Sequence, residues 1–366
     1  MNSPEPLLRP RMPELDSLRG IAILSVVFYH GFFWMNDPTG LSAPARGFVA
    51  LTGYGWLGVH LFFILSGFLI TGILDDTRST PRFFRRFYCR RALRILPAFY
   101  GMLLVLAFFP SQDKSYLVLS FFYLSNMAPL LHIKNTYPMF WSLAAEEHFY
   151  LVWPLLVWLL SRRRLLVAAS LLFLVSPILR AAWFHNPLPD GFHGFTWLVL
   201  DGFAGGAMLA LFVRESWWTR NRIALAVAFC ALATVAILLF GAPFGVLSQR
   251  NLMGAAFLLT AAHLLFVGLL GFWLLVGTSQ WKSLVNHRLL GFYGEISYGL
   301  YLIHWLVFAA YDALARRYFP LVAGYAGHFQ LLTLRFVFVL AGATFLAWLS
   351  RKCYEERFLR LKSRFG

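Results

Sequence analysis

Apolar residues run along this chain in long blocks, separated by short breaks rich in arginine. Blocks of membrane-crossing length fall near residues 18–35, 54–74, 92–109, 141–160, 165–184, 195–213, 223–241, 252–276, 290–311 and 330–350. About 20 apolar residues, rising about 1.5 Å each, cross a hydrocarbon core about 30 Å thick. Each block therefore predicts a transmembrane α-helix. A further stretch, 115–131 (SYLVLSFFYLSNMAPLL), is short, carries polar residues and contains Pro129, so it is expected to be re-entrant or interfacial. The pattern predicts an all-α polytopic membrane protein, a bundle of about ten transmembrane helices forming one membrane domain over residues 1–366.

Composition agrees with the pattern. Apolar residues make up 59% of the chain and charged residues 13%, where soluble domains average about 45–50% and about 25%. The net charge of +16 raises the question of nucleic acid, but the arginines sit between apolar blocks and no nucleic-acid module is present. They read as a topology signal instead. If 115–131 does not cross, ten crossings place 23 of the 32 Lys and Arg residues on one side, 8 outward or deep, and Arg19 at the membrane edge. If it does cross, the clusters at 161–164 and 351–362 turn outward. The positive-inside rule favours the first arrangement, with cytoplasmic tails at 1–17 and 351–366. The first block lacks a small-residue cleavage site and is expected to be a retained anchor. Cys89, Cys230 and Cys353 have no metal-ligand spacing, and no His-Glu-x-x-His, P-loop or Gly-x-Ser-x-Gly motif occurs, so no metal is expected.

Ionisable residues inside the blocks are expensive and mark candidate function. Arg19 and His30 lie eleven residues apart, which returns to one helix face after three turns, roughly 16 Å further along. With the ten-crossing map, His30, His60, Glu146, Glu147, Asp201 and His304 all fall about 18–21 Å above the cytoplasmic boundary. A shared interior cavity is expected, with Trp141 and Tyr301 joining His60, Asp201 and His304 in its lining or in acceptor contact. Taken singly, each has a plainer reading as a hydrogen-bonded packing residue. In RFFRRFYCRRALRILP, Arg90, Arg91 and Arg94 crowd the cytoplasmic entrance of one helix; guanidinium forks suit phosphate, and anionic lipid would suit them too. In FFILSGFLITG, Ser66 and Gly67 thin a helix so that either a ligand chain or a neighbouring helix can approach closely.

Six segments in this order, LDSLRGIAILSVVFYH, GVHLFFILSGFLIT, RRALRILPAFY, WSLAAEEHFYLVWP, LDGFAGGAMLA and ISYGLYLIHW, resemble the membrane-bound acyltransferase-3 family of bacterial integral-membrane O-acyltransferases nearly end to end. The resemblance implies transfer of an acyl group, commonly acetyl, from cytoplasmic acyl-coenzyme A to a hydroxyl of an extracytoplasmic carbohydrate or glycolipid at the bacterial inner membrane. It maps the family's Arg-x10-His pattern onto Arg19 and His30, its Phe-Phe-x-x-Ser-Gly pattern onto Phe62, Phe63, Ser66 and Gly67, and its arginine motif onto Arg90, Arg91 and Arg94. His60 departs from the acidic residue that many members carry before the Phe pair. The SGNH hydrolase-like domain fused to some members is expected to be absent.

The expected roles follow. Arg90, Arg91 and Arg94 hold the donor phosphates, Ser66 and Gly67 border its pantetheine arm, and Arg19 binds the donor or closes the entrance. His30 is either a general base or a transient acyl carrier. Glu147 or Glu146 orients the imidazole or binds the acceptor hydroxyl. The alternative is a proton-coupled exporter or lipid-linked sugar flippase, which would also use a layer of ionisable groups.

Overall fold

The computed structural model describes residues 6–9, 11–34, 38–109, 112–185, 194–318 and 328–362. Parts of the loops expected to face outward (35–37, 186–193 and 319–327) and the ends of both tails (1–5 and 363–366) lie outside the described residues.

Among the described residues the fold is helical throughout, without a strand. Helix α1 (Pro13–Phe28) runs into a π-helical turn at Tyr29–Phe33. It is followed by α2 (Ala43–Thr52), α3 (Leu57–Thr77), α4 (Phe83–Ala107), α5 (Lys114–Phe121), α6 (Phe140–Leu159) and α7 (Arg162–Trp183). The chain continues through α8 (Leu200–Phe212), α9 (Arg220–Gly241), α10 (Leu252–Gly277), α11 (Lys282–Val285), α12 (Arg288–Glu295), α13 (Ser297–Tyr318) and α14 (Phe329–Ser350). A second π-turn, Arg351–Glu355, leads into α15 (Glu356–Arg360).

Among the described residues six stretches are long and apolar enough to cross a membrane: Ala43–Thr77, Arg162–Trp183, Arg220–Phe244, Leu252–Gly277, Ser297–Tyr318 and Phe329–Arg360. Helices also cover the other blocks read from the sequence, but with weaker credentials. α8 has only 13 residues, and α4 carries Arg85, Arg86, Arg90, Arg91 and Arg94 in its first half. The stretch 115–131 is not one long helix. It is α5, whose N-terminus is capped by the Asp113 carboxylate accepting from Ser115 and Tyr116 N–H, followed by a 3-10 turn at Ser125–Leu131.

The chain divides into two compact units. The first is Met1–Leu15, His60–Tyr88 and Leu103–His287; the second is Asp16–Val59, Cys89–Met102 and Arg288–Gly366. In the first unit α7, α8, α9 and α10 pack side by side, and α3 lies against α8 backbone to backbone. A Cβ at Gly67 would overlap the Phe203 carbonyl, and one at Gly206 would overlap the Ile64 carbonyl. Of the two readings for Gly67, the neighbouring helix is the one that fills its space. At one end of this unit, ion pairs join α3 to its neighbours: Asp75 to Arg162 at 2.7 Å and Asp76 to Arg214 at 2.8 Å. In the second unit α13 packs on α14, and the first π-turn is held between α14 and α2.

Candidate active site

The π-turn of the second unit carries His30. A π-turn inserts one extra residue into a helix and leaves the carbonyl pattern incomplete, a feature concentrated at functional sites. Here the Trp34 N–H bonds the Tyr29 carbonyl at 3.0 Å, and the Gly31 carbonyl accepts from Arg335 Nη1 at 3.1 Å. Gly31 is required because a Cβ there would overlap the Phe336 ring. Arg335 is fully buried, with its guanidinium 4.5 Å above the Phe308 ring and paired bidentately with Asp312 at 2.7 Å through Nε and Nη2. This buried pair from α13 and α14 props the turn from below.

His30 itself is 7% exposed. Its Nδ1 lies 3.2 Å from His304 Nε2, and His304 Nδ1 lies 2.9 Å from the Leu300 carbonyl one turn back on α13. A carbonyl only accepts, so His304 Nδ1 must carry the proton. Its Nε2 then holds a lone pair, and His30 Nδ1–H donates to it. The network thereby assigns the remaining lone pair to His30 Nε2, the position a base or nucleophile needs. Trp305 and Tyr29 flank the ring edge-on, with centroids 5.2 and 5.0 Å away, and Tyr301 lies 5.9 Å from His304. His30, His304 and Tyr301 are thus brought together. Arg19, on the same helix, pairs with Asp16 at 2.7 Å.

Other sequence-predicted residues meet in the first unit. Ser66 Oγ and Tyr150 Oη both donate to Glu146 Oε1, and the two hydroxyls lie 3.0 Å apart. Glu147 is half-buried on the same helix. His60 Nδ1 lies 2.9 Å from His263 Nε2, with Trp141 and Phe63 against its ring at 6.5 and 5.5 Å. His263 Nδ1 is 3.0 Å from Asp201 Oδ2, close enough for a charge contact but not aligned as a hydrogen bond. Asp201 is fully buried and bidentate with Arg180 at 3.0 and 2.8 Å. The other Arg180 donors reach the Ala256 carbonyl at 3.0 Å, the Leu198 carbonyl at 2.6 Å and Thr260 Oγ1 at 2.5 Å. All five guanidinium N–H groups therefore have acceptors.

Arg90 and Arg94 are exposed on α4 in the second unit and Arg91 is half-buried. Among the described residues no group of three or more His, Cys, Asp or Glu is arranged to hold a metal ion.

Sequence reading missed Arg180, His263, Asp312, Arg335 and Tyr150. The signal was present for the arginines. Each stands alone in an apolar run, LLFLVSPILRAAWF and LLTLRFVFVL, the same oddity that picked out Arg19 and His30.

Comparison with known proteins points to one family. A family model described as an acyltransferase domain, Acyl_transf_3, matches residues 12–352. The chain is 30% identical over 338 residues to peptidoglycan O-acetyltransferase OatA of Listeria monocytogenes, covering 81% of this chain and 49% of that protein. It is 34% identical over 193 residues to YrhL of Bacillus subtilis, which carries a provisional peptidoglycan O-acetyltransferase name, covering 46% and 28%. A Staphylococcus aureus protein with a provisional O-acetyltransferase name, SAS0844, is 34% identical over 166 residues, covering 40% and 24%. The chain spans about half the length, or less, of these curated relatives. No solved structure matches it. With the family model aligned along almost its entire length, the chain belongs to the acyltransferase-3 family.

Proposed function

We propose that this protein moves an acetyl or related acyl group from cytoplasmic acyl-coenzyme A to a hydroxyl of an extracytoplasmic cell-envelope glycan, with His30 as the reacting base. The observation that carries the reading is the assigned tautomer of His30, fixed by His304 and the Leu300 carbonyl. In the direct route, Nε2 takes the proton of the acceptor hydroxyl while its oxygen attacks the thioester carbonyl. The C–S bond then breaks, and the same proton passes to the coenzyme A thiolate. In the covalent route, Nε2 attacks the thioester carbonyl and the C–S bond breaks to release the coenzyme A thiolate; the hydroxyl oxygen then takes the acyl group from the imidazole, and its proton passes to the thiolate. The names of the relatives support a glycan hydroxyl as acceptor.

Arg90, Arg91 and Arg94 take the donor phosphates in this reading, with Arg19 at the entrance. Ser66 borders the donor path. Glu146, which accepts from Ser66 and Tyr150, contributes a fixed acceptor, and Glu147 is the alternative on that helix. Tyr301 and His304 stand beside His30 on the acceptor side. The chain crosses the inner membrane ten times with both termini cytoplasmic. Support comes from the ion pairs that set the ends of α3, α7 and α8 at one level, the level the charge count assigns to the cytoplasm.

His30→Ala should abolish transfer from radiolabelled acetyl-coenzyme A while the protein remains inserted and folded; near-normal turnover would sink the base assignment. Rapid quenching separates the two routes, since the covalent one requires an acyl-protein species during turnover. A reporter fused after Gly366 checks the topology.

A further inference from the structure

The last segment of the second unit folds back onto α4. Tyr354 Oη donates to the Pro97 carbonyl at 3.2 Å, and Tyr298 Oη, from α13, donates to the Ile95 carbonyl at 3.1 Å. Both carbonyls lie within one turn of Arg94. The docking therefore sets the second π-turn and the residues after α15 beside the arginines of α4. Burial, together with the charges of Arg94, Arg91, Arg351 and Arg90, pushes the Lys362 ammonium down to about 8. The buried Glu355 carboxylate faces this group, 3.9 Å from Arg351 and within electrostatic reach of Arg94, and it also accepts from Ser350 Oγ at 3.1 Å. Four arginines drawn together with Lys362, two of them facing that carboxylate, form a strongly positive site open to solvent through Arg90 and Arg94. Like charges held this close cost free energy that a bound polyanion returns.

We propose that Arg351 and Lys362 complete, with Arg90, Arg91 and Arg94, a single phosphate-binding site, so that the C-terminal segment forms part of the donor site. This rests on the acyl-coenzyme A reading of the α4 arginines. The shared chemistry is phosphate oxygen held by guanidinium and ammonium, and it could be supplied by coenzyme A or by an anionic lipid headgroup.

The test uses the full chain in detergent and calorimetric titration with coenzyme A. Lys362→Gln and Arg351→Gln should each weaken binding about tenfold, as expected for loss of a charge-assisted hydrogen bond. Lys362→Arg should keep nearly native affinity. Bound phosphate favours the protonated ammonium, so wild type should take up protons on binding near pH 8, and affinity should fall as pH rises above that value. Paired buffers of different ionisation enthalpy read this uptake, which should vanish in Lys362→Gln. If Arg94→Gln loses coenzyme A while Lys362→Gln and Arg351→Gln bind normally, the proposal fails and the donor reading stands. If wild type ignores coenzyme A, the donor reading fails. Thermal stabilisation by phosphatidylglycerol that disappears in Lys362→Gln would then sustain the joint site with lipid as its ligand. No response to either probe overturns both.

Discussion

Each unit contains a buried pair of histidines joined Nδ1 to Nε2, yet the two pairs end differently. In the second unit the His30–His304 pair ends on the Leu300 carbonyl, an aligned acceptor without charge. In the first unit the His60–His263 pair ends beside Asp201, whose carboxylate is already clamped by Arg180 and is not aligned with the histidine. A carbonyl terminus fixes one neutral tautomer and aims a lone pair outward. A carboxylate terminus already neutralised by Arg180 ties together α3, α7, α8 and α10. The first arrangement suits chemistry; the second suits a membrane bundle that must satisfy its buried polar groups.

The largest effects should come from the two buried guanidiniums. Arg180→Ala strands Asp201, and Arg335→Ala strands Asp312; each should lower stability by about 3–5 kcal/mol, read by thermal unfolding in detergent. Replacing both members of the first pair, Arg180→Met with Asp201→Leu, should recover most of that loss with activity retained. The corresponding double change at Arg335 and Asp312 should recover stability but not transfer, because the Gly31 carbonyl has lost its donor. If both doubles behave alike, the contrast between the units is wrong.

The histidine partners sharpen the contrast further. His304→Ala should reduce kcat about 10- to 100-fold, the cost of an oriented hydrogen bond, with little change in melting temperature. His304→Gln retains an acceptor near the Nε2 position and should restore part of the rate. His263→Ala should instead lower stability by about 1–3 kcal/mol while turnover per folded molecule is kept. The reverse outcome would exchange the roles of the two pairs.

Glycines give the smaller effects. Gly67→Ala drives a methyl into the Phe203 carbonyl and should cost about 1–3 kcal/mol. Gly47, exposed in α2 with nothing near a built Cβ, should gain about 0.5–1 kcal/mol as alanine.

Much of this was legible in the chain and some was not. Apolar length located the helices because backbone satisfaction in lipid leaves few other structures. The depth of His30 and His304 could be read from residue rise, so their shared level was visible. Their pairing was not, because rise fixes height along a helix and leaves open which way a side chain faces across the bundle. Arg180 and Arg335 were visible as stray charges, but Asp201 and Asp312 are presented to them by neighbouring helices 21 and 23 residues away. Ser66 could be placed beside a thinned helix face, whereas its bond to Glu146 spans 80 residues. The π-turn left no mark in the local sequence, since Tyr29–Phe33 reads as ordinary helix until Arg335 and Phe336 are packed beneath it.

That turn has a genetic corollary. It holds one residue more than an α-helical turn, so loss of a single codon within Tyr29–Phe33 would heal the helix into uninterrupted α form. With Tyr29 the residue lost, the imidazole would sit one position earlier, turned by about 100° around the helix. Hydropathy, length and charge distribution would be almost unchanged, and the product should still be recognised and inserted as a membrane helix. Its histidine would no longer meet His304. Frame-preserving deletions of this kind should separate assembly from catalysis more cleanly than any substitution, and in a mutational library they should collect among variants that accumulate normally yet transfer nothing.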